Sequence, residues 1–120
     1  MSHALRYLIL ADGSFGPETS KTANACIRYT PERVVGMHFF NPAPLMPLVE
    51  IVRAELSSDD AVETAFALGE RIGKHPIRCH DTPGFVVNRV LIPVLNDCIR
   101  VLDDARVTIE DLDAGMKHGV

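Results

Sequence analysis

Val34-Val35-Gly36-Met37-His38-Phe39-Phe40, then Asn41-Pro42-Ala43-Pro44-Leu45-Met46-Pro47, then Leu48-Val49-Glu50-Ile51-Val52 is the stretch whose reading decides the fold. Its two ends are dominated by β-branched, aromatic and other apolar residues and read as strands. Pro42, Pro44 and Pro47 each remove a backbone donor and together forbid a helix interior, so the middle reads as a stiff, extended loop. Two strands joined by such a loop are expected to be neighbours. Downstream, Ser57 or Ser58 can cap a helix over about residues 59–73, with Asp59 and Asp60 where the helix dipole favours acids. Val62, Ala65, Phe66, Gly69 and Ile72 recur at helical spacing and give one apolar face, and Gly73 is placed to stop the helix. Pro76 to His80 reads as a short fourth strand. Upstream, Tyr7-Leu8-Ile9-Leu10 is a short apolar strand ending at the Asp12-Gly13 turn pair, followed by a weak helix from about Glu18 to Arg28.

After the break Asp81-Thr82-Pro83-Gly84 only helices are predicted. The longest runs from about Pro83 to Asp103, with Thr82 as its cap and Pro83 in its first turn. Phe85, Val86, Val87, Val90, Leu91, Val94, Leu95, Cys98, Ile99, Val101 and Leu102 make it apolar over much of its circumference, so it belongs in a core or an interface, and Pro93 should kink it. A last helix begins near Thr108, where Asp111 completes a capping-box-like pattern and Val107 and Leu112 are placed as a hydrophobic staple. Strands with a helix, then helices alone, make an α/β body followed by an all-α part. The predicted boundary divides residues 1–81 from residues 82–120.

A chain of 120 residues is one domain at most, or pieces of two. With 47% hydrophobic and 23% charged residues it is ordinary for a globular protein, which excludes disordered, collagen-like and low-complexity chains. The formal net charge of −4 and the scattered Lys and Arg give no footprint for nucleic acid or a membrane surface. Cys26, Cys79 and Cys98 form no CxxC pair and read as free buried thiols in a reducing compartment. The start has no signal-peptide pattern, and no apolar run is long enough to span a bilayer, so the expected location is cytoplasmic. His3, His75, His80 and His118 show no ligand spacing, and no metal is expected.

Chemistry points to three residues. Glu50 interrupts an apolar strand; taken alone it reads as a solvent-facing residue, the alternative being a buried carboxylate with a partner. His38 ends the preceding strand; taken alone it reads as a satisfied structural histidine, but the proline loop can bring the two side by side. A carboxylate on one imidazole nitrogen fixes the tautomer and makes the other nitrogen a better proton acceptor, which is general-base architecture. Asn88, near the start of the long apolar helix, is either a capping or solvated amide or one that hydrogen-bonds a substrate oxygen. Asp12-Gly13-Ser14-Phe15-Gly16 lacks the third glycine of a phosphate loop, and no GxGxxG occurs anywhere in the chain.

Gly36-Met37-His38-Phe39-Phe40-Asn41-Pro42, Pro47 to Val52, Gly73-Lys74-His75-Pro76 and Asp81-Thr82-Pro83-Gly84-Phe85-Val86-Val87-Asn88-Arg89 together resemble the 3-hydroxyacyl-CoA dehydrogenase family. Glu110 to Gly119 resembles that family's next motif, with Gly115 where a helix former is usual. The resemblance covers about residues 31–119. It implies the C-terminal part of a Rossmann-type NAD-binding domain, followed by the first helices of an all-α domain that completes the acyl-CoA site and makes a homo-oligomer. The implied reaction oxidises an L-3-hydroxyacyl-CoA to the 3-ketoacyl-CoA with NAD. By position His38 resembles the catalytic base, Glu50 its carboxylate partner and Asn88 the substrate-orienting amide. Residues 12–30 depart from the family pattern: Gly13 and Phe15 stand where an asparagine and a serine are usual.

The family's Gly-rich loop and its ribose-reading acid have no counterpart in these residues. The expectation is therefore a fragment of that oxidoreductase, inactive alone and binding NAD no more tightly than millimolar. Two other readings stand beside it. One is a non-catalytic interaction or dimerisation module using the apolar helix. The other is a related hydroxy-acid dehydrogenase.

Overall fold

The computed structural model describes residues 8–10, 30–104 and 106–120, the first three as backbone. Tyr7, the segment Asp12 to Gly16, the helix expected over Glu18 to Arg28, and His3 and Cys26 lie outside the described residues. Four strands form one sheet in the order β1 (Leu8–Leu10), β2 (Val35–Phe39), β3 (Leu48–Arg53) and β4 (His75–His80). The β1–β2 pair is parallel, β2–β3 antiparallel and β3–β4 parallel. A 3₁₀ turn, Pro31–Arg33, leads into β2.

The β2–β3 connection reverses the chain directly, so this pair is antiparallel. Its loop is not extended as expected. The amides of Leu45 and Met46 both donate to the Pro42 carbonyl at 3.0 Å, folding the segment into a turn. Proline cannot donate, but its carbonyl still accepts, and the alternating Ala43, Leu45 and Met46 retain their donors. From β3 the chain crosses through α1 (Asp59–Arg71) and returns parallel as β4, a βαβ unit. Of the two candidate serines Ser58 is the cap, its hydroxyl accepting from the Ala61 amide at 3.2 Å. Ser57 is instead buried and ties β2 to β3's exit. Its hydroxyl donates to the Val34 carbonyl and accepts from the Ala54 amide. After α1 the chain turns at Gly73, where φ is +76°, as expected of a C-terminal glycine.

Val35 and Met37 of β2, Val49 and Ile51 of β3, and Ala61, Val62 and Ala65 of α1 make the core. Gly69 allows α1 to approach the sheet closely: a Cβ there would stand 3.1 Å from Pro76 Cβ and 3.3 Å from Val49 Cγ1. Ile72, predicted to extend the apolar face, is half exposed, because it is the capping residue where the helix has already ended.

Residues through Phe85 form one compact unit and Val86–Val120 a second. The second holds α2 (Val87–Asp104) and α3 (Ile109–Gly119). The long helix was expected from Pro83 but starts at Val87. Gly84 and Phe85 have φ of +76° and +45°, left-handed values that a right-handed helix does not accept. Thr108 caps α3 as predicted, its hydroxyl accepting from the Asp111 amide at 3.1 Å. No residue of α2 or α3 is buried within this chain. Among the described residues no helix is long and apolar enough to cross a membrane.

Candidate active site

The antiparallel β2–β3 register sets His38 directly opposite Glu50. Alternation along a strand puts Val35, Met37 and Phe39 on the face covered by α1, and Gly36 and His38 on the other. His38 Nδ1 lies 2.7 Å from Glu50 Oε2. A carboxylate oxygen accepts, so Nδ1 carries the proton and Nε2 of the neutral ring keeps its lone pair. Glu50 is wholly buried, with 0% of its side chain exposed, against 16% for His38.

The solvent-facing reading of Glu50 is therefore overturned. Its strand is an inner one, paired with β2 on one side and β4 on the other, and the sheet is covered there on both faces. A buried carboxylate is tolerated only where hydrogen-bond donors meet it, and no buried side-chain polar atom among the described residues lacks a partner.

Two aromatic rings flank the imidazole. The Phe40 ring is 4.9 Å away, edge-on at 63°, and the Phe85 ring 5.3 Å away, tilted at 58°. Neither was singled out from the sequence as a site residue; Phe85 was expected on the apolar face of the long helix, and the structure places it in the turn before that helix. Strand alternation, which puts Phe40 on the His38 face, was the available signal; nothing local announces Phe85.

Lys74 was also missed as more than a residue near a helix end. Its ammonium donates to the Ala43 carbonyl at 2.6 Å and the Met46 carbonyl at 2.8 Å, pinning the loop that joins the two strands of the pair.

Asn88 stands in the first turn of α2, half-buried, in the second unit. The structure thus brings His38 and Glu50 together within the first unit and holds Asn88 on the other.

Cys79 and Cys98 are free thiols, half-buried rather than fully buried. Burial, followed by the charges of Glu50 and Asp81, pushes the Cys79 thiol up to about 11. It is a proton-bearing, unreactive thiol at neutral pH. Among the described residues no three His, Cys, Asp or Glu side chains gather as a metal site would require.

Residues 9–82 match the family model described as 3-hydroxyacyl-CoA dehydrogenase, NAD binding domain, and residues 84–120 match the model of the same enzymes' C-terminal domain. The class is thus a Rossmann-type dinucleotide-binding domain running into a helical one. The chain belongs to the 3-hydroxyacyl-CoA dehydrogenase family, whose members are NAD-dependent oxidoreductases. The match reaches back to residue 9, beyond the point near residue 31 where the motifs begin.

Hydroxyacyl-coenzyme A dehydrogenase, mitochondrial, of Sus scrofa is 40% identical over 116 residues, which are 97% of this chain and 36% of that protein. The 3-hydroxybutyryl-CoA dehydrogenase of Clostridioides difficile is 40% identical over 92% of this chain and 39% of its own length. Among solved structures, (S)-3-hydroxybutyryl-CoA dehydrogenase from Ralstonia eutropha superposes with a TM-score of 0.74 at 42% identity, covering 82% of this chain and 34% of that one. The chain spans little more than a third of the length of these relatives.

Proposed function

We propose that these residues carry the proton-transfer half of an NAD-dependent oxidation of an L-3-hydroxyacyl-CoA to the 3-ketoacyl-CoA. The observation that carries this reading is the 2.7 Å bond between His38 Nδ1 and the buried Glu50 carboxylate, which leaves Nε2 as the acceptor. His38 takes the hydroxyl proton at Nε2. Glu50 holds the ring in the productive tautomer and stabilises the positive charge the ring then bears. Asn88 is the proposed amide that orients the substrate oxygen. Residues 1–81 form the tail of the dinucleotide-binding domain, and 82–120 open the helical domain that contributes to the acyl-CoA site and to a homo-oligomer.

NAD is the hydride acceptor of this reaction. A pyrophosphate cradle needs glycines that leave room for the ligand's backbone approach. Among the described residues Gly36 and Gly69 are pressed against Val52 and Pro76, the uncrowded Gly73, Gly115 and Gly119 do not have that motif's spacing, and no GxGxxG occurs in the sequence. These residues do not fit the pyrophosphate, so the chain alone is proposed to bind NAD no better than millimolar and to be inactive by itself. Calorimetric titration of NAD into this chain tests that, and micromolar binding overturns it.

The activity is tested in a chimera. Residues 31–120 replace the matching segment of the Clostridioides difficile 3-hydroxybutyryl-CoA dehydrogenase, and NADH formation from its 3-hydroxy substrate is followed. An active chimera whose His38→Gln variant loses about 10²-fold or more in kcat supports the assignment. Equal turnover with and without His38 removes it.

A second reading, a non-catalytic interaction or dimerisation module, is favoured by α2, where Val90 is 65% exposed and Leu91, Ile92, Leu95 and Ile99 are exposed with it. Concentration-dependent self-association with an inactive chimera selects it. A related hydroxy-acid dehydrogenase is separated from both by the chimera's substrate profile. The cytoplasm is the proposed compartment. Imaging of a fluorescent fusion tests this against the mitochondrion named in the Sus scrofa relative.

A further inference from the structure

Phe85 has a backbone that its side chain does not favour. Its φ of +45° lies in the left-handed region, where a Cβ crowds the following carbonyl, and it directly follows Gly84 at +76°. Glycine enters that region without steric cost, and asparagine is the side chain that tolerates it best. A phenylalanine there is strained, and strain of this kind persists only where the surroundings hold it in place.

The left-handed pair turns the chain after β4 so that the Phe85 ring lies 5.3 Å from the His38 imidazole, while Phe40 meets the same imidazole at 4.9 Å. At its Nδ1 edge the imidazole is bonded to Glu50. The ring is therefore fixed by one carboxylate and two apolar walls. A hydrogen bond walled by apolar groups is electrostatically stronger than the same bond in water, and water that would compete for it is kept out.

We propose that Phe85 is a positioning residue for His38: the strained Gly84-Phe85 turn lays a phenyl ring on the imidazole, shields the Nδ1–Glu50 hydrogen bond and leaves the ring one orientation, with Nε2 as its accessible nitrogen. The inference rests on the reading of His38 as the base, but it acts on the imidazole itself and is measured without turnover.

The test is proton exchange at His38 in the ¹⁵N-labelled full chain. The Nδ1 proton is identified by its loss in His38→Gln. Phe85→Asn keeps a residue that accepts the left-handed backbone and removes the ring; Phe85→Tyr keeps the ring. The expected result is a protected Nδ1 proton in the parent chain, exchange faster by about fivefold to tenfold in Phe85→Asn, the size of one aromatic contact, and protection restored in Phe85→Tyr. Resistance to denaturant should not fall in step with that loss, because the asparagine relieves backbone strain. An unprotected proton in the parent, parent-like exchange in Phe85→Asn, or a Phe85→Tyr variant that behaves like Phe85→Asn overturns the proposal. Should Phe85→Asn not fold, Phe85→Leu replaces it, and parent-like exchange there overturns the proposal equally. Failure of the base assignment is read separately, from turnover of the chimera with and without His38, whichever way the exchange rates fall.

Discussion

At the scale of single residues, the His38–Glu50 pair acts as a unit, and its mutants should show this. In the chimera Glu50→Gln should lower kcat about 10²-fold and change KM much less, because the group acts on the base and not on ground-state binding. His38→Ala should cost at least as much. The double mutant should be little worse than His38→Ala alone; independent, multiplicative losses would show that the carboxylate does not work through the imidazole. Cys79 supplies a prediction of the opposite kind, an inert group. With its thiol pushed up to about 11 by burial and by the Glu50 and Asp81 charges, a Cys26→Ser/Cys98→Ser chain should react with iodoacetamide at pH 8 about 10²-fold slower than a free thiol. The linkage has a sign. The folded value is raised above the unfolded one, so the stability this thiol contributes is whole below about pH 9 and is lost as pH rises through about 11. Urea midpoints of the parent and Cys79→Ala chains across pH 8–11 check it: the parent should lose more stability over that range than the variant.

At the scale of elements, the site depends on how the β2–β3 loop is held. Lys74, between the end of α1 and the start of β4, reaches the loop and bonds two of its carbonyls. Lys74→Met keeps the aliphatic stem and removes both bonds. It should destabilise the fold by about 1–3 kcal/mol, read as a lower urea midpoint at unchanged m. Lys74→Arg should recover part of that. No change in the Met variant would mean the loop is held by its own prolines and turn. Much of this level was legible beforehand. Strand propensity, a serine cap before residue 59, the Thr108 cap and the Gly73 stop each depend on a few neighbouring residues, and among the described residues the elements they mark stand near their expected places. The start of α2 was not legible. Thr82-Pro83 is a good helix opening on local grounds, but the backbone at Gly84 and Phe85 is set by what the Phe85 ring packs against.

At the scale of the whole molecule the two units differ in kind. Through Phe85 the chain owns a buried core, whereas α2 and α3 bury no residue within it. Helices draw most of their stability from a packed apolar face, so α2 and α3 should be the less protected elements of this chain. Hydrogen exchange by mass spectrometry on dilute protein should show their amides exchanging about 10²-fold or more faster than those of β2, β3 and α1. Uniform protection would show that α2 and α3 are packed as firmly as the sheet. Raising the protein concentration should slow exchange selectively in α2 if its exposed valines, leucines and isoleucines meet a second copy.

The sequence by itself determined the alphabet of this structure: which of the described segments are strands or helices, where most of them stop, and that a histidine and a glutamate lie on two strands joined by a proline loop. Those properties follow from side-chain shape, missing donors and period-two alternation, all of which act over a few residues. Only the tertiary structure decided what surrounds the pair. Glu50 has the local pattern of a solvent-facing strand residue, yet it is sealed because β3 became an inner strand covered on both faces. Phe85 and Lys74 reach the site from well beyond the loop that joins the pair, and no local signal encodes such an approach. Burial and register are fixed by contacts between distant segments, so they become definite only when the whole sheet has closed.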